Sequence, residues 1–421
     1  MPLYLCSEKL NADCLHRILW QCCLGIVITA MVAGLLGDRS AQAATRSEIV
    51  IGTQLPLTGA LSGPGREQKW AYEEAVKDVN AKGGIFVKEY GRKLPVRLVI
   101  EDDESDAGKT AKAVERLIKS HNVDLLLSGF SGSSSVIPAC VAAEKYKKYC
   151  HASISWLAPW LKHKFQWSTL FFFDLEQGVA VPFQLWNSMP KDKHPKKPAL
   201  FIEDTADGHV FADRFQSVAQ KYGYDGALLG TLPAGSRDYS TQIQKAKAMG
   251  VDAILIFASD TDCMTFVRQM KKNNFSVGYL HGWKGTWSGN FSKELGKDAQ
   301  YVLCDGFWSM EFPLPGAREL GERYQKRFGE TSVSVGSAYA LAQILWQAIE
   351  KAGTLDGKKV RNAVLTSRFE TLMGPVKYQT NGVATFVSTA NQWIDGKQRL
   401  VYPFKWAKAA VKLAPPWEER R

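Results

Sequence analysis

The stretch Asp124-Leu125-Leu126-Leu127-Ser128-Gly129-Phe130-Ser131-Gly132-Ser133-Ser134-Ser135 decides how this chain folds. Its apolar run is short enough for a buried strand, and it stops at a glycine before a run of small hydroxylated residues. Val136 to Tyr146 then reads as a helix. A strand that feeds a Gly/Ser turn at a helix start aims unpaired backbone N–H groups and hydroxyls at one spot. The helix macrodipole makes that spot attractive to an anion such as a carboxylate. The order G-F-S-G-S places Ser133 where a G-x-S-x-G nucleophile elbow needs glycine. Neither G-x-x-x-x-G-K-[ST] nor G-x-G-x-x-G surrounds it. The turn therefore reads as a holding site rather than a reacting one, with an ordinary Ser-rich helix cap as the bland alternative.

Strand and helix patterns alternate on both sides of this turn. Before it come a strand at Ile49-Val50-Ile51, a helix from Arg66 to Asn80, a strand from Val96 to Ile100 and a helix from Ala107 to Ser120. A second array runs from Ala199–Ile202 through helix Phe211–Tyr222, strand Ala227–Leu232, helix Thr241–Met249 and strand Ala253–Ala258 to helix Asp260–Asn273. Such apolar strands suit parallel sheets covered on both faces. Two arrays predict two doubly wound α/β lobes, with a ligand cleft beyond the carboxyl ends of their strands.

The N-terminal segment reads differently. Lys9 and Arg17 precede an apolar stretch from Ile18 to Leu36, and Ala41-Gln42-Ala43 offers a cleavage site, so residues 1–43 are expected to be a secretory signal peptide. A retained membrane anchor is the competing reading, because the apolar run is long. The expected address is the periplasm. Removing three basic and three acidic residues with the leader leaves the formal net charge at +11. No basic stripe points to nucleic acid, and a diffuse basic surface fits attraction of anionic solutes. Cys140, Cys150, Cys263 and Cys304 remain, too few for a disulfide scaffold. Cys140 and Cys150 are expected at opposite ends of the sheet, too far apart to bridge, and the four are read as mostly buried free thiols.

Several motifs together carry a family resemblance. Ile49-Val50-Ile51-Gly52-Thr53-Gln54-Leu55-Pro56-Leu57-Thr58-Gly59, Val79-Asn80-Ala81-Lys82-Gly83-Gly84-Ile85, the Asp102-Asp103 pair and the Ser-rich turn resemble the branched-chain amino-acid-binding proteins of ABC importers. Asp238-Tyr239-Ser240 and Met373-Gly374-Pro375-Val376 follow in the same order. The resemblance spans residues 46 to 405. It implies a type I periplasmic binding protein: two Rossmann-like lobes joined by three crossovers near Phe172-Asp174, Cys304-Gly306 and Gly374-Pro375. Lobe I would comprise 46–172 and 306–373, and lobe II 174–303 and 374–421. It also implies a monomer that closes on a solute and docks on an inner-membrane permease, with no cofactor and no bond made or broken.

By the same resemblance, Ser133 and the set Ser155, Trp156 and Leu157 would hold a solute carboxylate. Asp207, Ser259 and Lys284 occupy positions facing the amino group in the relatives, and Asp174 matches an acid near the first crossover. Lys284 stands where the relatives have an acid, and a lysine there repels an ammonium. Asp174 is expected either to offset that charge or to pair with Lys284. Phe130, Trp156, Trp283 and Trp287 add flat rings. Together these point to an aromatic or otherwise apolar carboxylate, with a leucine/isoleucine/valine or amide binder as the alternative. For each of the 13 tryptophans, ordinary packing is the competing explanation.

The acidic run Glu101-Asp102-Asp103-Glu104 resembles a metal or acid/base cluster, but strand-end acids commonly cap helices or bind loops. His281 lies two positions before Trp283 and is read as structural, with a solute contact as the sharper option; the histidines show no metal spacing. An exported hydrolase using Ser131 or Ser133 would need a base within reach. A sensory subunit for a signalling receptor uses the same closure as a transport component and stays open as a third reading.

Overall fold

Most of the apolar runs become strands buried along their whole length, as parallel strands covered on both faces are, while the edge strands Val96–Asp102 and Ala227–Leu232 stay partly exposed. Ile49–Leu55, Leu125–Leu127, Cys150–Ser153 and Ser168–Phe171 are buried at every residue. So are Pro198–Glu203 and Ala253–Ala258. The structure, a computed structural model, describes residues 46–129 and 132–420. The expected leader at 1–43 and Phe130 lie outside the described residues. None of the described helices is long and apolar enough to cross a membrane.

Two sheets organise the chain. The first is wholly parallel, in the order Val383–Ala384, Ser168–Phe171, Cys150–Ser153, Leu125–Leu127, Ile49–Leu55, Val96–Asp102. The second runs Lys397–Tyr402, Thr389–Ile394, Leu303–Gly306, Tyr279–Lys284, Ala253–Ala258, Pro198–Glu203, Ala227–Leu232, with its first two strands antiparallel. Both carry the doubly wound pattern expected of the two arrays.

Local chemistry sets the helix limits. Asp106 accepts a hydrogen bond from the Lys109 N–H and opens the helix Ala107–Lys119, whose last turn carries Arg116 and Lys119. The helix after the Ser-rich turn begins at Ser133, three residues before the start its apolar pattern predicts, and ends at Lys145, one residue before the predicted end. Gly129 is required by a close approach. A Cβ there would lie 1.9 Å from the Gln54 carbonyl oxygen, at the end of the neighbouring strand.

The connections between sheets differ from expectation in one place. Gly374-Pro375 lies inside a hairpin, Arg368–Thr371 with Gly374–Lys377, and the chain then adds Val383–Ala384 to the first sheet. It passes to the second sheet only through residues 385–388. The Leu303–Gly306 strand lies wholly in the second sheet, so the chain leaves that sheet after Gly306. All three connections bring phenylalanine to one place. Phe172 and Phe173, Phe307, and Phe386 pack with ring centroids 5.4 Å (Phe172–Phe307), 5.6 Å (Phe173–Phe307) and 5.8 Å (Phe307–Phe386) apart.

The cysteines also depart from expectation. All four are buried and unbridged, but the Cys140 and Cys150 thiols stand within hydrogen-bonding reach of each other. The helix returns antiparallel to the strands at about 1.5 Å per residue. By Cys140 it has come back far enough to lie over the start of the strand that Cys150 opens.

Candidate functional site

The carboxyl ends of both sheets meet around one small cavity of about 30 Å³, at the place between lobes where small-molecule sites of such folds lie. The first sheet's side contributes Leu61, Pro64, Gly132, Ser133, Ile154, Ser155, Trp156 and Phe172. The second contributes Asp207, Phe257, Lys284 and Trp287. Most sit at, or just past, the end of a strand, where the turn into the next helix exposes side chains to the cleft, and Leu61 and Pro64 come from the start of the helix Ser62–Ala81.

Rings form most of the wall. Trp156 packs against Phe172 at 5.6 Å and Phe257 at 6.0 Å, and Trp287 sits edge-on to Phe307 at 4.5 Å. The phenylalanines of the connecting segments thus lie directly behind the cavity. Ile154 and Lys284, both lining it, have φ of +61° and +64°. A β-branched residue at positive φ is strained, and such strain gathers at binding sites.

The polar groups are few and already paired. The Ser133 Oγ accepts from the Trp156 N–H at 2.9 Å and from the Ser155 hydroxyl at 3.3 Å. The Ser133 N–H donates to the Asp207 carboxylate at 2.9 Å, and the Trp156 indole N–H donates to the Asp207 carbonyl at 3.3 Å. Both bonds span the cleft. Burial raises the Asp207 carboxyl above the usual aspartate range, against the pull of the Ser133 donors and of Lys284. The Lys284 ammonium bonds to Glu203 and lies 5.6 Å from the centre of the Phe257 ring. Thr205 joins them: its hydroxyl donates to Glu203 at 3.0 Å and accepts from the Gly208 N–H, capping the helix Ala206–Lys221 that carries Asp207. Thr205→Ala removes both bonds and is expected to lower stability by about 1–2 kcal/mol, read as a shift of the urea midpoint; an unchanged midpoint would contradict the role given to this cap.

The sequence of residues 48–397 matches the family model described as periplasmic binding protein. The chain belongs to that family. It is 25% identical over 408 residues to the Leu/Ile/Val-binding protein homolog 7 of Brucella suis, covering 92% of this chain and 98% of the relative. Its fold is similar to that of the branched-chain amino acid transporter substrate binding protein LivJ of Streptococcus pneumoniae in complex with isoleucine. There the TM-score is 0.74 at 18% identity, covering 88% of this chain and all of that one. It is also similar to an ABC transporter solute binding protein from R. palustris in complex with benzoate, with TM-score 0.71, 15% identity, and coverage of 88% and 97%. The fold is thus the type I arrangement of the branched-chain amino-acid group.

Within this periplasmic binding protein, Ser133, Ser155, Trp156, Asp207, Lys284 and Trp287 come together at the cavity. Four other residues singled out from the sequence do not line it. Asp174 accepts from the Glu176 and Gln177 N–H groups as the cap of the helix Leu175–Asn187, and it is Glu203 that pairs with Lys284. Ser259 caps the helix Asp260–Lys272 through Asp262. Leu157 opens the short helix Leu157–Lys162 and packs on the core of its own lobe. Trp283 is fully buried between His281, stacked at 4.5 Å, and Phe211, edge-on at 4.7 Å. His281 is itself buried, bonded to the Tyr279 hydroxyl and held down to about 3 by burial.

The acidic run also disperses. Glu101 pairs with Arg116 and His121. Asp102 binds the Leu57, Thr58 and Glu104 N–H groups, which hold it below the usual range despite some burial. Asp103 binds Ser105 and Thr110. Among the described residues no group of three potential ligands stands together for a metal. Sequence reading missed Leu61, Pro64, Ile154, Phe257 and Glu203. Ile154 and Phe257 stand within two residues of Ser155 and Ser259, which it did single out, whereas Glu203 had no local signal.

Proposed function

We propose that the protein is the extracytoplasmic solute-binding component of a branched-chain amino-acid-type ABC transporter, and that its solute is a small acid with a flat or apolar body. The observation that carries the acid is the Ser133 N–H at the start of a 13-residue helix, which already holds a carboxylate, that of Asp207, inside a wall of rings. A solute carboxylate takes this donor, and Trp156, Phe172, Phe257 and Trp287 enclose its body. The lobes close on it about the three connecting segments, and the closed form engages a membrane permease. The benzoate held by the R. palustris protein of the same fold supports this solute class.

Lys284 does not carry the case, because its charge is met by Glu203. With Asp207 and Glu203 facing one lysine, the cavity also suits a solute bearing an ammonium, which favours a branched-chain amino acid as the second reading. A melting-shift screen separates the two. Benzoate-class acids are expected to raise the melting temperature, since a ligand at a hundred times its Kd adds about 2.7 kcal/mol. If leucine, isoleucine or valine gives the largest shift, the acid reading fails.

A further inference from the structure

We infer that Asp305 is a positioning residue for the solute cavity. Its carboxyl fixes the Trp287 ring in one orientation and so sets how tightly a flat solute is gripped. The solute rests on the acid reading proposed above; the bond that holds the ring does not.

Trp287 lines the cavity from the turn that follows the strand Tyr279–Lys284. An indole has one donor and no acceptor, so the partner of its N–H decides which way the ring faces. That partner is the carboxyl of Asp305, fully buried in the strand Leu303–Gly306. The turn itself is pinned from the same side. The Gln398 side-chain amide donates to the Trp287 carbonyl at 2.8 Å, and the Trp393 indole donates to the Thr286 carbonyl at 3.2 Å. The Thr286 hydroxyl donates to the Gly282 carbonyl at 2.9 Å, and Phe307 meets the Trp287 ring edge-on. Asp305, Gln398 and Trp393 do not themselves line the cavity; they act on it through this turn.

An acid in this place is costly to the fold. It loses its hydration, its Oδ2 finds no hydrogen-bond partner, and burial raises the carboxyl well above the usual aspartate range against the pull of the Trp287 N–H. Packing a tryptophan does not demand such a partner here. The indole N–H groups of Trp160, Trp186, Trp283, Trp308 and Trp346 are buried with none. Those rings are held by core on every side, whereas one side of Trp287 faces the cavity. A ring with an open side is free to turn unless its N–H is tied, and Asp305 ties it. A wall fixed before the solute arrives loses less freedom on binding, which is a gain in affinity.

The test uses the whole processed protein with Asp305→Asn, Asp305→Leu, Trp287→Phe and the double variant Asp305→Leu/Trp287→Phe, each first checked for native circular dichroism. The indole N–H signals of tryptophan-labelled protein, read by NMR without any solute, report the bond directly. The signal lost in Trp287→Phe identifies Trp287, and in wild type it is expected downfield and slow to exchange with deuterium. It should stay near that position in Asp305→Asn, whose amide oxygen still accepts, and move upfield in Asp305→Leu. Titration with benzoate reads the grip. Asp305→Leu is expected to bind it roughly ten-fold more weakly than wild type, and Asp305→Asn within about two-fold. With Phe at 287, Asp305→Leu should change the affinity by less than about two-fold, because the N–H it acts through is gone. A wild-type Trp287 signal at the position of an unbonded indole would overturn the inference, and that reading needs no Asp305 variant to fold. Equal losses from Asp305→Leu with and without Trp287 would also overturn it, by showing a general packing role. If benzoate binds none of these proteins, the acid reading of the solute fails, and the indole signal still decides whether Asp305 fixes the ring.

Discussion

Lys284→Met is expected to destabilise the folded protein by about 3–5 kcal/mol, far more than the loss of a surface lysine would. Glu203 is 2% exposed and Lys284 16% exposed, so the pair lies out of bulk water on the cavity wall. Methionine fills much of the same space and leaves the carboxylate buried, with the Thr205 hydroxyl as its remaining side-chain donor among the described residues. The cost comes from the unpaired charge and not from a lost attraction, because a buried pair repays little more than its own desolvation. The double variant Glu203→Gln/Lys284→Met should therefore recover most of the loss. Urea unfolding of the three proteins checks this. A single variant within about 1 kcal/mol of wild type would mean that the pair is solvated and worth no more than a surface bridge.

The second large effect concerns pH. Glu67 is buried and accepts from the Ser332 hydroxyl and from the Gly289 N–H across the cleft. Burial pushes its carboxyl up to about 7, helped by Glu330 and opposed by the hydroxyls of Ser332, Ser288 and Ser334. Asp260, buried nearby, is also raised, by burial first and by Glu67 second, with Lys284 and Arg66 opposing. A raised carboxyl favours the protonated folded state. Its contribution is fully present below about 4.5 and is lost as pH rises through 7. One pKa step corresponds to about 1.4 kcal/mol, so the total is about 3 kcal/mol. His151 and His281, held near 3 by burial, act oppositely: they withdraw stability as pH falls below the unfolded value of 6.5. Comparison with Glu67→Gln removes their part. The variant should gain on wild type by up to about 3 kcal/mol between pH 4.5 and pH 8; a difference independent of pH would show that Glu67 is ionised in the fold.

Much of this was legible in the residues. The apolar runs and their turns placed three strands of each sheet, and the order of small motifs pointed to the family. The Ser-rich turn was legible because strand, glycine and helix start are consecutive. What stayed hidden depends on contacts between distant positions. Glu203 lies 81 residues from Lys284, and nothing local marks it as the partner. Trp283 and Trp287 are equally aromatic, but the first lies inside the strand Tyr279–Lys284 and packs on Phe211 of the helix layer, while the second lies in the following turn and faces the cleft. The meeting of Cys140 with Cys150 depended on how far the helix returns over its own strand. The pairing of Asp207 with Ser133 is likewise a product of the lobes meeting and has no trace in either segment alone.

The central claim is a carboxylate site between two lobes, and a crystal structure with bound solute tests it most directly. The expected result with benzoate is its carboxylate on the Ser133 N–H and its ring among Trp156, Phe257 and Trp287. A bound amino acid with its ammonium on an Asp207 that still accepts from Ser133 would contradict it.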